Sequence, residues 1–118
     1  MTKIKPDTTN PRVLELRIYE SHSEAKARSK VDMFNDGEIP IFENVGLRPV
    51  FFGETLVGRN VPNLKYMLQT TDLAANQAGW KRFIVDPDWV KMRDLPQYAN
   101  TVSKITKIYL APTEYSEI

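Results

Sequence analysis

Apolar residues in this chain recur with two different periods, and the order in which the periods alternate constrains the fold more than any other feature. Val13 to Tyr19 alternates, with Leu14, Leu16 and Ile18 pointing one way and Glu15, Arg17 and Tyr19 the other. A period of two defines a strand with two unlike faces. Ser21-His22-Ser23-Glu24 then reads S-x-x-E, a capping box for a helix start. Ala27, Val31 and Phe34 form one apolar helical stripe behind it. Gly37 and Pro40 are expected to break or kink this helix, and a short second piece over Ile41 to Val45 is expected to stop at Gly46.

Arg48 to Leu56 reads as a second strand and Leu64 to Thr70 as a third, joined by a turn carrying Gly58 and Pro62. So short a connection argues for an antiparallel hairpin. Asp72 can cap the next helix, whose expected buried stripe is Leu73, Trp80, Phe83 and Ile84. Asp86-Pro87 restarts a short helix bearing Trp89, Val90 and Met92, which stops before Pro96. Val102 to Leu110 is the last strand, and Lys104 and Lys107 interrupt its alternation, as a bulge or an edge position would explain. Tyr115 and Ile118 are possible anchors of the tail that follows.

The order is strand, helix, strand, strand, helix, strand. This is the α+β, ferredoxin-like split β-α-β pattern, a four-stranded antiparallel sheet with helices on one face. Residues 13–118 are expected to form this single domain and residues 1–12 a polar tail or linker. The uncovered sheet face is expected to show Glu15, Arg17 and Tyr19 with some of Phe51, Thr55, Lys65, Met67 and Gln69. Such a mixed face makes a poor solvent surface, so a second copy is expected to cover it, sheet against sheet. Gly53 marks a possible bulge that would re-aim Glu54.

Composition narrows the chemistry. The absence of cysteine removes disulfides, thiolate catalysis, iron–sulfur clusters and cysteine-based zinc sites. His22 is the single histidine, so one chain cannot build a multi-histidine metal site. A formal net charge of +1 argues against broad nucleic-acid binding, which needs a basic stripe. The apolar runs are too short to span a membrane, and the start of the chain lacks an apolar signal core. No Gly-rich phosphate loop, H-E-x-x-H or G-x-S-x-G occurs. No metal and no cofactor are expected.

A set of short motifs resembles the NIPSNAP family. Leu14-Glu15-Leu16-Arg17-Ile18-Tyr19 is similar to its E-L-R-x-Y opening. Gly46-Leu47-Arg48, Phe52-Gly53-Glu54 with Gly58, and Pro62-Asn63-Leu64-Lys65-Tyr66-Met67 follow in order. Trp80-Lys81-Arg82-Phe83, Asp86-Pro87-Asp88-Trp89, Asn100-Thr101-Val102-Ser103-Lys104-Ile105 and the ending Leu110 to Ile118 complete the series. The resemblance implies the dimeric α+β barrel superfamily and leaves the chemistry open. Family relatives are linked to mitochondrial quality control and vesicle transport as interaction proteins. The wider superfamily also holds small monooxygenases, isomerases and haem-binding enzymes. Some relatives carry two such domains behind a secretory signal, so this chain is either a lone cytoplasmic protein or an exported second half.

The candidate cavity residues each have two readings. Glu15, Arg17 and Tyr19 either orient a ligand or form a paired charge network that fixes a dimer register. Trp80, Phe51, Tyr66 and Met67 either wall a pocket or pack the core. Glu54 is a base if it faces a cavity and a solvated strand end if it does not. His22 and the basic pairs Lys81-Arg82 and Lys104/Lys107 read as surface residues. Two functions follow: a dimeric binding or scaffold module, or a small cofactor-independent enzyme, monooxygenase- or isomerase-like, acting on a hydrophobic, oxygen-bearing molecule. In the second, Arg17 would stabilise negative charge, Glu15 or Glu54 would move a proton, and Tyr19 or Tyr66 would donate a hydrogen bond.

Overall fold

A computed structural model describes residues 12–59, 61–113 and 115. Most of the N-terminal tail, Asn60, Glu114 and the last three residues, Ile118 included, lie outside the described residues. Tyr115 is 82% exposed and anchors nothing.

Strand β1 (Val13–Glu20) leads into α1 (Glu24–Met33), a π-helical turn at Phe34–Glu38, and α2 (Ile39–Asn44). The break falls around Gly37 and Pro40, as expected from residues that disfavour a continuous helix. The helix cap lies two residues later than the S-x-x-E motif placed it. Ser23, not Ser21, caps α1, accepting from the Lys26 N–H at 3.2 Å. Ser21 is already engaged, since β1 continues to Glu20 and Ser21 ties two neighbouring segments together. Its N–H donates to the Pro62 carbonyl and its hydroxyl to the Thr101 carbonyl. Gly46 ends α2 at φ +88°, a conformation that disfavours a side chain.

Strands β2 (Arg48–Glu54) and β3 (Asn63–Thr70) pair antiparallel. Asp72 caps α3 (Leu73–Ile84) by accepting from the Ala75 N–H at 2.7 Å. Asp86 caps α4 (Pro87–Arg93), accepting from two backbone N–H groups. A 3-10 turn at Pro96–Tyr98 precedes β4 (Lys104–Leu110). The sheet order is β2-β3-β1-β4, with every pairing antiparallel. That is the ferredoxin-like arrangement with helices on one face. β4 is an edge strand, which explains its interrupted alternation.

The register settles which residues share a face, and it reverses one expectation. Arg17 lies opposite Tyr66 and Tyr19 opposite Leu64, so Glu15, Arg17 and Tyr19 share a face with Leu64, Tyr66 and Leu68. This face lies under the helices, where Tyr19, Leu64, Tyr66 and Leu68 pack with Phe34, Phe42 and Phe83 in the core. The face away from the helices instead carries Leu14, Leu16 and Ile18, opposite Gln69, Met67 and Lys65; Leu14, Gln69 and Met67 are buried there and the other three half-buried. Lys65, Met67 and Gln69 were placed correctly; the residues of β1 were not. Polarity misled here because hydrogen bonds from α3, invisible locally, decide which side of β1 is buried.

The bulge also lies elsewhere. The β2–β3 register shifts between Pro49 and Phe51, not at Gly53. Phe51 therefore lies opposite Met67 on the uncovered face, while Phe52 lies opposite Tyr66 and stacks on it at 5.7 Å. The buried stripe of α3 differs as well. It is Asn76, Gly79 and Phe83, while Leu73 and Ile84 are exposed at 47% and 56%. Gly79 is required by close approach, because a Cβ there would come within 2.7 Å of Leu47 Cδ2. This contact lets α3 settle deep enough for Asn76 and Trp80 to reach β1.

Candidate functional site

The site grows from the two-residue spacing on β1. Alternation sets Glu15, Arg17 and Tyr19 in a row on the helix-covered face. On α3, Asn76 and Trp80 are four residues apart and so lie one turn above each other. Both reach Glu15, which has no solvent exposure. Asn76 Nδ2 donates to Glu15 Oε1 at 2.9 Å and Trp80 Nε1 donates to the same oxygen at 2.7 Å. Arg17 Nη1 donates to Oε2 at 2.8 Å. Both carboxylate oxygens are thus engaged, as a buried charge requires.

Arg17 extends the row. Its Nε donates to the Tyr19 hydroxyl at 3.1 Å, and the Tyr19 and Tyr66 hydroxyls share a hydrogen bond at 2.6 Å. The guanidinium lies 4.2 Å from the Trp80 ring centroid, a cation–π contact. Burial pulls the Arg17 pKa down, but the Tyr66 and Tyr19 hydroxyls and the Glu15 carboxylate outweigh it and hold the group above its ordinary value. Burial pushes the Tyr19 phenol up, against the opposing pull of Arg17. Tyr66 is raised further, by burial and then by Tyr19.

A second buried pair faces this row. Lys30 Nζ of α1 lies 3.2 Å from Glu38 Oε2 of the π-helical turn, and both residues are at most 5% exposed. The ammonium also lies 5.1–5.5 Å from the ring centroids of Phe34, Tyr19 and Trp89. Burial lowers the Lys30 pKa and raises that of Glu38, each opposed by the attraction of its partner.

Between the two pairs opens a cavity of about 510 Å³. Arg17 and Tyr19 of β1 form one wall, and Ile105, Lys107 and Tyr109 of the edge strand β4 continue it. Asn76, Trp80 and Phe83 of α3 with Trp89 of α4 form the opposite wall, and Lys30 and Glu38 close a third side. A mostly apolar hollow with a few convergent polar groups is the usual form of a small-molecule site.

The sequence-predicted residues separate into three groups. Arg17, Tyr19 and Trp80 line the cavity, and Glu15 and Tyr66 stand behind them as hydrogen-bond partners. Phe51 and Met67 lie on the opposite face of the sheet. Glu54 is an exposed strand end in a separate recess with Glu24 and Arg28, so it matches the solvated alternative and not a base in this cavity. His22 is exposed. Lys30, Glu38, Asn76 and Tyr109 were not foreseen. The four-residue spacing of Asn76 and Trp80 was a usable signal. Lys30 and Glu38 carried none, because they meet across a helix break. Among the described residues, no cluster of His, Cys, Asp or Glu is placed to hold a metal ion.

An antiparallel four-stranded sheet, with helices over one face and a polar row and a cavity beneath them, gives the chain the α+β, ferredoxin-like fold. The NIPSNAP family model matches residues 14–117, and the chain belongs to that family. Solved structures agree. An uncharacterized NIPSNAP-like domain protein from Burkholderia xenovorans is similar with a TM-score of 0.79 at 20% identity, over 92% of this chain and 91% of that one. A NIPSNAP family protein of unknown function from Agrobacterium tumefaciens gives 0.80 at 16% identity, over 97% and 98%. A dimeric ferredoxin-like protein from an uncultured marine organism gives 0.64 at 12% identity, over 92% and 99%. No curated protein matches the chain.

Proposed function

We propose that this NIPSNAP-family chain is a binding module that works as a homodimer and takes a small molecule into the cavity between β1, β4 and the helices. The observation that carries the reading is the cavity itself: about 510 Å³, apolar-walled, with the Arg17 guanidinium held in place at its side. Glu15 favours binding over catalysis. Both of its oxygens accept from protein donors, so it positions Arg17 and Trp80 and is not poised to move a proton. The uncovered sheet face supports the dimer. Phe51, Ile108 and Leu110 there are exposed at 42%, 39% and 42%, and a second copy laid sheet against sheet would bury them.

The test is a thermal-shift screen of small aromatic and aliphatic oxygen compounds, followed by titration of tryptophan fluorescence. Ligands that occupy the cavity raise the unfolding temperature and change the emission of Trp80 and Trp89. Tyr109→Ala, at a half-exposed position on the cavity wall, should weaken binding and leave the fold intact. Turnover of a bound compound would replace this reading with the enzymatic one. The solution mass reports the dimer.

A further inference from the structure

The cavity wall contains a pairing that a sheet normally avoids. Arg17 of β1 and Lys107 of β4 are direct cross-strand partners on the same face. Like charges directly opposite each other destabilise a strand pair. Glu15 neutralises Arg17 from one side, but among the described residues nothing neutralises Lys107. Both side chains line the cavity. Across it, Lys30 is matched by Glu38, so the charges facing this space sum to an excess of one positive charge once each pair is taken together.

We propose that the cavity's ligand is an organic anion: an apolar, aromatic body with a carboxylate that sits between Arg17 and Lys107. The acid group relieves the like-charge pair and uses guanidinium donors that Glu15 and Tyr19 leave free, since five N–H groups are present and those two partners take two. Trp80 and Trp89 receive the ring. This deepens the binding reading and rests on it.

The experiment compares 6-hydroxy-2-naphthoate with its neutral amide, 6-hydroxy-2-naphthamide, by calorimetric titration of the intact protein at low and high salt. The acid should bind at least about tenfold more tightly than the amide, as a charge-assisted pair warrants. Salt should erode that preference. Lys107→Met, at an exposed position, should cut the preference for the acid over the amide by about fivefold. Equal affinity for acid and amide, or an unaltered preference in Lys107→Met, would overturn the anion assignment while the cavity still binds. Failure of both probes to bind would overturn the binding reading and the anion assignment with it.

Discussion

The two faces of β1 invert the usual rule. The face under the helices carries Glu15, Arg17 and Tyr19, all at most 7% exposed. The face that no helix covers carries Leu16 and Ile18, half-buried, and the exposed Phe51, Ile108 and Leu110, with only Leu14 of this set buried. The difference teaches that partner supply, not polarity, decides burial here. A charged side chain can sit inside when every lone pair and proton is matched, and α3 supplies the matches for Glu15. An apolar side chain tolerates partial exposure at modest cost until a second surface arrives.

The sharpest way to break the comparison is Glu15→Ala. It strands the Arg17 charge and the donors of Asn76 and Trp80, and should cost about 4 kcal/mol in urea unfolding. A loss below about 1 kcal/mol would mean that the inside face does not depend on its pairing.

Next is the Lys30–Glu38 pair. Lys30→Met alone should cost about 3 kcal/mol, and adding Glu38→Leu should recover most of it, because the pair as a whole adds little over apolar packing. Its pH signature has a definite sign. Burial raises Glu38 above 4.5, so just above that pH the native chain holds a proton the unfolded chain has released, and stability falls as pH rises through the window. Lys30 is lowered below 10.5, so stability rises as pH climbs from its lowered value toward 10.5. Urea titrations across both windows should show both slopes in the wild type and neither in the double variant.

Ile108→Lys probes the outer face. It should raise the dissociation constant of the proposed dimer by at least about tenfold by sedimentation, while circular dichroism of each chain stays the same. Unchanged association would move the dimer contact off this face.

Trp80→Phe is the mildest test. The ring stays, the donor to Glu15 is lost, and about 1 kcal/mol should go with it. The remaining donors from Arg17 and Asn76 keep this well short of the Glu15→Ala effect.

Much of the fold was legible because its signals are local. Alternation marked β1, Asp72 and Asp86 announced two helix starts, Gly46 a helix stop, and the turn between β2 and β3 a hairpin. The site was legible in part. Arg17, Tyr19 and Trp80 were named because aromatic and charged residues stand out on regular elements. The side of the sheet was misjudged, because each face of β1 alone is compatible with either environment. Lys30 with Glu38, and Asn76 with Glu15, meet across long stretches of chain or a helix break, and local periodicity carries no information about such contacts.

The sequence by itself determined the element order and the βαββαβ class, since these depend on period, caps and turns that act over a few residues, and its motifs carried the family resemblance. The tertiary structure alone decided which face of β1 is inside. That choice depends on the depth to which α3 docks, set by the missing Cβ at Gly79 against Leu47, and on the hydrogen bonds that Asn76 and Trp80 then make to Glu15.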